Sequence, residues 1–391
     1  MAMQKMGSPG LAPQASSCLS QSRRKEHLRW GFTTGTCAAA AAKAALMRLL
    51  GGHTPKAVAV SLPGKRHLDI PVECVGPARD GGAMAVIIKD GGDDPDCTHG
   101  AEIIARVNIK SLTEGGQFIS ITGGQGVGKV TRPGLAVQPG EWAINPVPRK
   151  MMSWAVEEVL SVSSPFDSKG ISVDVEISVP RGDELSRQTL NPRLGIVGGI
   201  SILGTTGLVK PFSHGAYRAT IFTALKAARA NGISEIFLVT GSQTDTYARM
   251  LNPGHPEIAF CQMADYVKFA MRCVSRLGFS RVHIYSFFGK ALKMAQGLPQ
   301  THASRGSVDL DFLKDITIKV RADIPGEIIS RANTARHALQ IIKEHGETEN
   351  IISSVGRLAL SNLQGYSKKN LHVVFTLLDF DGKILWQGNQ S

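Results

Sequence analysis

The sequence is short of aromatic residues, of paired cysteines and of long apolar segments. Only 6% of its 391 residues are aromatic, and no Lys/Arg run is interleaved with them, so a stacking surface for nucleic acid is not indicated. The six cysteines form no C-x-x-C pair, which argues against a zinc site or a disulfide framework and fits reduced, cytoplasmic thiols. No apolar run is long enough to span a bilayer, so no membrane partner is expected.

Positive charge and glycine are abundant. The net charge of +12 favours an acidic partner, such as nucleic acid or a small molecule with several carboxylates. The 42 glycines predict many tight turns or close backbone approaches. Residues 1–27 are rich in Ser, Gln, Lys and Arg and lack the apolar segment of a secretory signal, so they are predicted to form a disordered tail.

Residues 28–190 are predicted to form an α+β domain. The Ala-rich stretch indicates a helix that begins near Thr36 and ends by Leu50, and a second helix is predicted over residues 148–160. Short apolar runs bounded by Gly, Pro and Asp indicate strands of a largely antiparallel sheet. These runs are residues 57–62, 67–75, 84–89, 101–109, 118–122 and 170–179.

In residues 191–308 strand, glycine turn and helix recur, which indicates an α/β, Rossmann-like domain with a parallel sheet. Ligands of such sheets bind beyond the carboxyl ends of the strands. The predicted strands are residues 199–203, 236–240 and 281–285, and the predicted helices are 214–231, 263–277 and one that starts at 289. Residues 309–391 are predicted to pack on these domains through a strand (315–320), two helices (327–344 and 351–360) and a hairpin that turns at Asp381-Gly382.

Residues 123–130 (GGQGVGKV) match the G-x-x-x-x-G-K part of a phosphate-binding loop. Val130 stands where such a loop needs Ser or Thr to hold magnesium, so a small-molecule kinase that uses Gly123 to Lys129 is kept only as an alternative. The favoured interpretation is a hairpin whose bare backbone approaches a ligand. Lys129 and Arg132 would add charge for a carboxylate or phosphate.

Residues 89–100 (KDGGDDPDCTHG) gather four aspartates and one histidine. The spacing is not that of a calcium loop, so a metal site is not favoured. A solvated acidic turn and a loop that orients a ligand or acts in catalysis stay open, and His99 is suited to acid or base chemistry near neutral pH. In residues 143–151 (AINPVPRKM), Arg149 and Lys150 oppose the dipole of a predicted helix, so a bound anion explains them better than stability does.

Residues 31–45 (GFTTGTCAAAAAKAA) place a polar turn directly before a helix. Thr34 or Thr36 is predicted to cap this helix, whose first N–H groups suit an anion, and the alternative is a core helix whose alanines permit close packing. Residues 191–207 (NPRLGIVGGISILGTTG) hold five glycines but not in G-x-G-x-x-G order. The next predicted strand ends in Thr240-Gly241 without an acidic residue, so an ordinary dinucleotide site is disfavoured.

Taken together, the stretches GFTTGTCAAAAAKAA, DGGDDPDCTHG, GGQGVGKVTRPGL, AINPVPRKM and NPRLGIVGGISILGTTGLVKPFS closely resemble the cobalt-precorrin-5B C(1)-methyltransferases of anaerobic cobalamin biosynthesis. The resemblance runs from about residue 28 to the C-terminus and is densest up to Ser213. It implies methyl transfer from S-adenosylmethionine to carbon 1 of cobalt-precorrin-5B, giving cobalt-precorrin-6A. Cobalt would arrive within the corrinoid substrate, so no metal site of the protein is required.

The resemblance and the charge together nominate site residues. The acidic macrocycle is expected to contact Thr33, Thr34, Gly35, Thr36, Lys129, Arg132, Asn145 and Arg149. Asp94 or His99 is the candidate base, should the product lose a proton. The topology places the methyl donor in the Rossmann-like half, with Gly198, Gly199, Gly204, Thr205, Thr206, Gly207, Gly241, Lys290 and His302 as its expected contacts.

Two positions depart from the pattern of the family. Ser286-Phe287 replaces a Gly-His pair ahead of Gly289-Lys290, and Thr240-Gly241-Ser242 replaces Pro-Gly-Asn. Besides the kinase, a non-catalytic corrinoid-binding protein stays open as an alternative. A homodimer is left open, and no nucleic-acid partner is expected.

Overall fold

The computed structural model describes residues 28–79, 81–112, 116–162, 170–302, 308–320, 322–368 and 370–390. The predicted tail, residues 1–27, lies outside this part of the chain. The strands of the N-terminal half are β1 (Gly31–Phe32), β2 (Ala57–Leu62), β3 (Arg66–Pro71), β4 (Cys74–Pro77), β5 (Ala83–Ile88), β6 (Glu102–Ser111), β7 (Gln117–Gly123), β8 (Gly126–Val127), β9 (Lys129–Val130) and β10 (Ile171–Ser178). The later strands are β11 (Ile196–Val197), β12 (Gly199–Ile200), β13 (Leu208–Val209), β14 (Glu235–Val239), β15 (Phe260–Gln262), β16 (Arg281–Phe287), β17 (His372–Leu378) and β18 (Ile384–Gln390).

The helices begin with α1 (Thr34–Gly51), α2 (Pro146–Val162), α3 (Gly182–Ser186), α4 (Asn191–Leu194), α5 (His214–Ala230) and α6 (Ser242–Leu251). They continue with α7 (Val267–Leu277), α8 (Phe288–Ala295), α9 (Leu310–Lys319), α10 (Gly326–Ser330), α11 (Ala335–Glu344) and α12 (Thr348–Gly365). Within the residues described, no helix combines the length and apolar character that crossing a membrane requires.

Helix α1 is the centre of the N-terminal half. It starts slightly before the predicted position because the Thr33 hydroxyl accepts a hydrogen bond from the Thr36 N–H and caps it. Gly52 ends it in the left-handed conformation (φ 69°), which only glycine adopts without steric cost. Its alanines are buried, so α1 packs closely against α2 and against β5 and β6.

The predicted, largely antiparallel sheet of this half is confirmed. Its strand order is β4-β5-β6-β10-β7, and only the β10–β7 pair is parallel. The single strand predicted over 67–75 is wrong, because the chain changes partner within it. The Val72 N–H still bonds to Lys56, whereas the next N–H, that of Glu73, already bonds to Val86 in β5.

A second sheet forms in the other half, in the order β15-β14-β16-β17-β18. The first four of these strands are parallel and β18 is antiparallel. The predicted strand at 199–203 does not join it, because β12 pairs with β8 of the N-terminal half instead. The predicted C-terminal hairpin forms and supplies β17 and β18, so the last segment completes the sheet. The domain boundaries at 191 and 309 remain predictions.

Two predictions for the last segment are wrong. Of the strand predicted over residues 315–320, residues 315–319 lie in α9 and Val320 caps its end, because the Asp309 carboxylate caps that helix at the Phe312 N–H. Leu313, Ile316 and Thr317 are buried at helical spacing, which outweighs their β-branched composition. The helix predicted over 327–344 is two helices, α10 and α11, because Thr334 adopts an extended conformation and caps α11.

Candidate active site

The motif segments of the N-terminal half converge at the N-terminal end of α1. Residues 31–35 are joined by backbone hydrogen bonds both to the segment 203–207 and to the acidic loop 89–100, and residue 145 is joined to the same neighbourhood. The bonds run from Gly35 N to Leu203 O (3.0 Å), Thr33 N to Gly207 O (3.0 Å), Asn145 N to Ile202 O (2.9 Å) and Phe32 N to Asp90 O (2.9 Å). Stretches that are far apart in sequence therefore form one continuous surface.

The threonines at the N-terminal end of α1 form hydrogen bonds with other parts of the protein. The Thr34 hydroxyl lies 3.2 Å from Leu203 O and accepts from Leu203 N (2.9 Å), and the Thr36 hydroxyl donates to Gly207 O (2.6 Å). Thr33, Thr34 and Thr36 are all buried. The N-terminal end of α1 therefore holds the loop 203–207 through its backbone, and the substrate contacts expected at residues 33–36 stay a prediction.

Replacing Thr34 with valine is expected to lower the free energy of unfolding by about 1–3 kcal/mol, because the Leu203 N–H loses its acceptor. The shape of the side chain is nearly unchanged, so packing contributes little. Denaturant unfolding measures the effect, and Thr34→Ser, which keeps the hydroxyl, is the matched control. Equal stability of the two variants would contradict a structural role for this hydroxyl.

The acidic loop is held rigidly by its own side chains. The ammonium group of Lys89, only 2% exposed, bonds to Asp96 (2.5 Å), and Asp96 also accepts from the Thr98 N–H and hydroxyl. Burial raises the pKa of Asp96, but Lys89 and Thr98 lower it by more, so it lies below its ordinary value. Asp90 pairs with the Arg29 guanidinium, and Asp93 accepts from the Arg29 N–H. Among the residues described, no group of three potential ligands could hold a metal ion.

His99 and Asp94, the predicted base candidates, have different partners. His99 Nδ1 accepts the Gly91 N–H at 3.0 Å, so a neutral ring carries its hydrogen on the exposed Nε2. His99 is therefore arranged as a hydrogen-bond donor, which argues against the base role. Asp94 Oδ1 accepts from the Phe212 N–H at 2.9 Å and so ties the acidic loop to the segment before α5.

The glycine-rich loop packs against protein backbone. Gly126 has φ 73°, and a Cβ on it would lie 1.9 Å from Val179 O. A Cβ on Gly182 or on Gly199 would in turn lie 2.1 Å from Gly126 O. Lys129 follows in β9 instead of a helix and lies over the Trp142 ring at 4.4 Å. The close backbone approach was predicted correctly, but its partner is the protein and not a ligand. The strand at Lys129 also lacks the helix N-terminus that a kinase phosphate loop uses.

The other predicted basic contacts are largely engaged as well. Arg149 donates to Ile144 O (3.1 Å) and Ile121 O (2.9 Å), so main-chain carbonyls hold its side chain in the first turn of α2. The anion contact expected at Arg149 stays a prediction. The side chain of Arg132 lies against Gly195. Near Asn145, Arg149 lines an open hollow of about 490 Å³ together with Trp142 and Pro146.

The residues expected to contact the methyl donor lie in two different places in the structure. Gly198 and Gly199 lie beside β8 and β9, and the segment from Gly204 through Thr205 and Thr206 to Gly207 lies on α1. A Cβ on Gly204 would be 2.3 Å from the Thr33 hydroxyl. The expectation that these six residues flank the parallel sheet is therefore wrong, because their strands pair with the N-terminal half.

Gly241 and Lys290 do lie at the carboxyl edge of the parallel sheet. Lys290 Nζ bonds to Thr240 O (2.7 Å) and to Asp265 Oδ1 (3.0 Å), which also accepts from the Thr301 hydroxyl (2.8 Å). Burial raises the pKa of Asp265, but Lys290 and Thr301, with His302 nearby, lower it by more. The stability this pair contributes is present above the ordinary pKa of aspartate and is lost as the pH falls through the lowered value.

This edge contains the switch point of the sheet. Strand β15 lies on one side of β14 and β16 on the other, so the chain order reverses between the ends of β14 and β16, where Gly241 and Lys290 are. Ligands of parallel sheets bind at such a point. A Cβ on Gly241 would meet no atom within 4 Å. Ala264, with φ 48°, turns the chain sharply before Asp265. Asp265 was missed from the sequence because β15 is only three residues long.

Packing explains why Phe287 stands where the family has a histidine. Its ring stacks on Phe380 with centroids 5.1 Å apart and meets Tyr247 edge-on at 6.3 Å. An aromatic cluster therefore fills the space beyond the end of β16, beside the switch point. The side chain that replaces the histidine of the family is part of this cluster.

Residues 212–214 connect the acidic loop, residues 89–100, with the carboxyl edge of the parallel sheet. Phe212 N bonds to Asp94 in the acidic loop, and two residues later His214 Nδ1 lies 2.5 Å from the hydroxyl of Tyr266. Tyr266 directly follows Asp265 at the edge of the parallel sheet. The acidic loop and the edge that carries the switch point are thus linked through one short segment, residues 212–214.

The geometry defines a mixed α/β protein with two five-stranded sheets and an acidic loop held by ion pairs, and comparisons with known proteins specify its family. The family model described as CbiD matches residues 21–211, and the family model described as CbiD, C-terminal domain, matches residues 300–389. The chain belongs to the CbiD family.

Curated relatives are similar over nearly their whole length. A protein named cobalt-precorrin-5B C(1)-methyltransferase from Leptospira borgpetersenii serovar Hardjo-bovis (strain JB197) is 40% identical, covering 92% of this chain and 95% of its own. One of the same name from Thermus thermophilus is 44% identical, covering 92% and 93%. A crystal structure of a cobalamin biosynthesis protein (cbiD) from Archaeoglobus fulgidus is 25% identical over 82% of this chain and 85% of its own, with a TM-score of 0.36 that supports no conclusion about geometry.

Proposed function

We propose that this protein is an S-adenosylmethionine-dependent C-methyltransferase that methylates carbon 1 of cobalt-precorrin-5B to give cobalt-precorrin-6A. The names of the curated relatives support the reaction. The observation that carries it in this chain is the meeting of the family motifs at the N-terminal end of α1, next to the switch point of the parallel sheet. A cytoplasmic location is the companion proposal.

The donor is proposed to bind at the switch point of a Rossmann-like sheet. S-adenosylmethionine would supply an electrophilic methyl group on sulfur. The residues present fit it: Gly241 leaves open space above the end of β14, and Asp265 follows 24 residues later at the end of the neighbouring strand. A carboxylate in that position suits ribose hydroxyls, and Lys290 suits the donor carboxylate while it also orients Asp265.

The corrinoid is proposed to lie between the switch point and the acidic loop. Its peripheral carboxylates suit a chain with a net charge of +12. Methyl transfer asks the protein mainly to hold the ring carbon in line with the methyl group, which rigid loops accomplish well. The Lys89–Asp96 and Arg29–Asp90 pairs supply that rigidity on the substrate side.

An anaerobic assay with cobalt-precorrin-5B and methyl-labelled S-adenosylmethionine tests the reaction. We expect one labelled methyl group at carbon 1, identified by mass and by carbon NMR. Labelled product in the wild type and in Lys129→Ala would also exclude the kinase alternative. Tight corrinoid binding without any labelled product would contradict the proposal in favour of a non-catalytic corrinoid-binding protein.

A further inference from the structure

Two aromatic side chains are exposed beside the acidic loop, residues 89–100. Phe212 is 62% exposed, and Trp30 is 49% exposed. Large aromatic side chains normally bury their surface, and this sequence has few of them. In a chain with so few aromatic residues, this exposure indicates that both side chains are available to contact a ligand.

The backbone of Phe212 is strained. Its φ of 52° lies in the left-handed region, which bulky residues other than glycine rarely adopt. The bond from its N–H to Asp94 Oδ1 holds this conformation from outside the helix that follows. The exposed ring gains little packing in return, so the strain is not repaid within the fold. Strain of this kind is concentrated at ligand-binding positions.

A cation accompanies the aromatic surface. Lys210 Nζ lies 5.7 Å from the centre of the Trp30 ring, and Trp30 forms a backbone bridge with Gly92 of the acidic loop. Lys210 and Phe212 are two residues apart in the turn that follows β13. The segment therefore combines apolar ring faces with a positive charge, which complements a flat conjugated ring with carboxylate arms.

We propose that Phe212 and Trp30 form a platform for the face of the corrinoid, with Lys210 beside it for a peripheral carboxylate. In this arrangement Asp94 is a positioning residue that sets the backbone of Phe212. The inference deepens the proposed function, since it assigns the substrate side of the same site. The donor side, at Gly241 and Lys290, is not part of the platform.

Equilibrium binding of dicyanocobyrinic acid, a corrinoid with seven carboxylates, tests the platform without turnover. Phe212→Asn is the variant of choice because asparagine tolerates the left-handed conformation. We expect its Kd for this corrinoid to rise at least tenfold, with the Kd for S-adenosylmethionine and the thermal midpoint unchanged or the midpoint raised. Phe118→Asn is the matched control, because Phe118 is 60% exposed on β7, outside the site.

Corrinoid binding by Phe212→Asn that equals binding by Phe118→Asn overturns the platform, and so does failure of the wild type to bind this corrinoid. Lys210→Gln adds an independent measurement: its affinity should depend less steeply on salt than that of the wild type. Wild-type corrinoid binding that depends on Phe212 without any methyl transfer would overturn the proposed function and leave the platform standing.

Discussion

Replacing Gly241 with valine is expected to weaken the binding of S-adenosylmethionine by 10- to 100-fold while the protein stays folded. The φ of Gly241 is 177°, an extended conformation that valine adopts readily, and a Cβ there would meet no protein atom within 4 Å. The added methyl groups would therefore occupy only the space between the ends of β14 and β16 that is proposed for the donor. Isothermal titration with the donor, together with thermal unfolding, measures both effects.

Gly76→Val is the matched control for this substitution. Gly76 lies in β4, a Cβ on it also meets nothing within 4 Å, and it is in the N-terminal half. Donor binding should be unaffected by this change. If Gly241→Val binds the donor as tightly as Gly76→Val does, the switch point is not the donor site, and the roles proposed for Asp265 and Lys290 are lost with it.

The elements of the parallel sheet could be predicted because each carries a strong local pattern. The strand at 236–240 is an apolar run that ends at a glycine turn, and the strand at 281–285 alternates polar and apolar residues; both are confirmed, as β14 and β16. Asp265 could not be found in this way, because β15 pairs with β14 over only three residues. So short a run has no periodicity of its own, and its position depends on tertiary contacts.

The glycines show a different limit. A sequence reveals where a Cβ is missing, but not what takes its place. At Gly126 and Gly204 the neighbour is protein, namely the Val179 backbone in one case and the Thr33 side chain in the other. At Gly241 nothing of the protein fills the space, and this glycine alone among the three leaves room for a ligand. Only long-range pairing could separate these cases.

Substitutions at Asp94 can distinguish a positioning role of its carboxylate from a role in proton transfer. Replacing it with leucine removes the acceptor of the Phe212 N–H, a charge-assisted hydrogen bond worth about 1.5–3 kcal/mol. Release of the strained backbone is then expected to raise KM for the corrinoid roughly 10- to 100-fold. Steady-state kinetics at saturating donor measure this, and circular dichroism verifies that the variant is folded.

Asp94→Asn separates the two roles, because its amide oxygen can still accept from the Phe212 N–H but cannot take a proton. If Asp94 positions Phe212, this variant should recover most of the affinity lost in Asp94→Leu and keep the wild-type pH profile. A general base would behave in the opposite way: kcat would fall roughly 100-fold or more, and the acidic limb of its pH profile would disappear. The bond to Phe212 already occupies Oδ1 and fixes the orientation of the carboxylate, so we expect the first result.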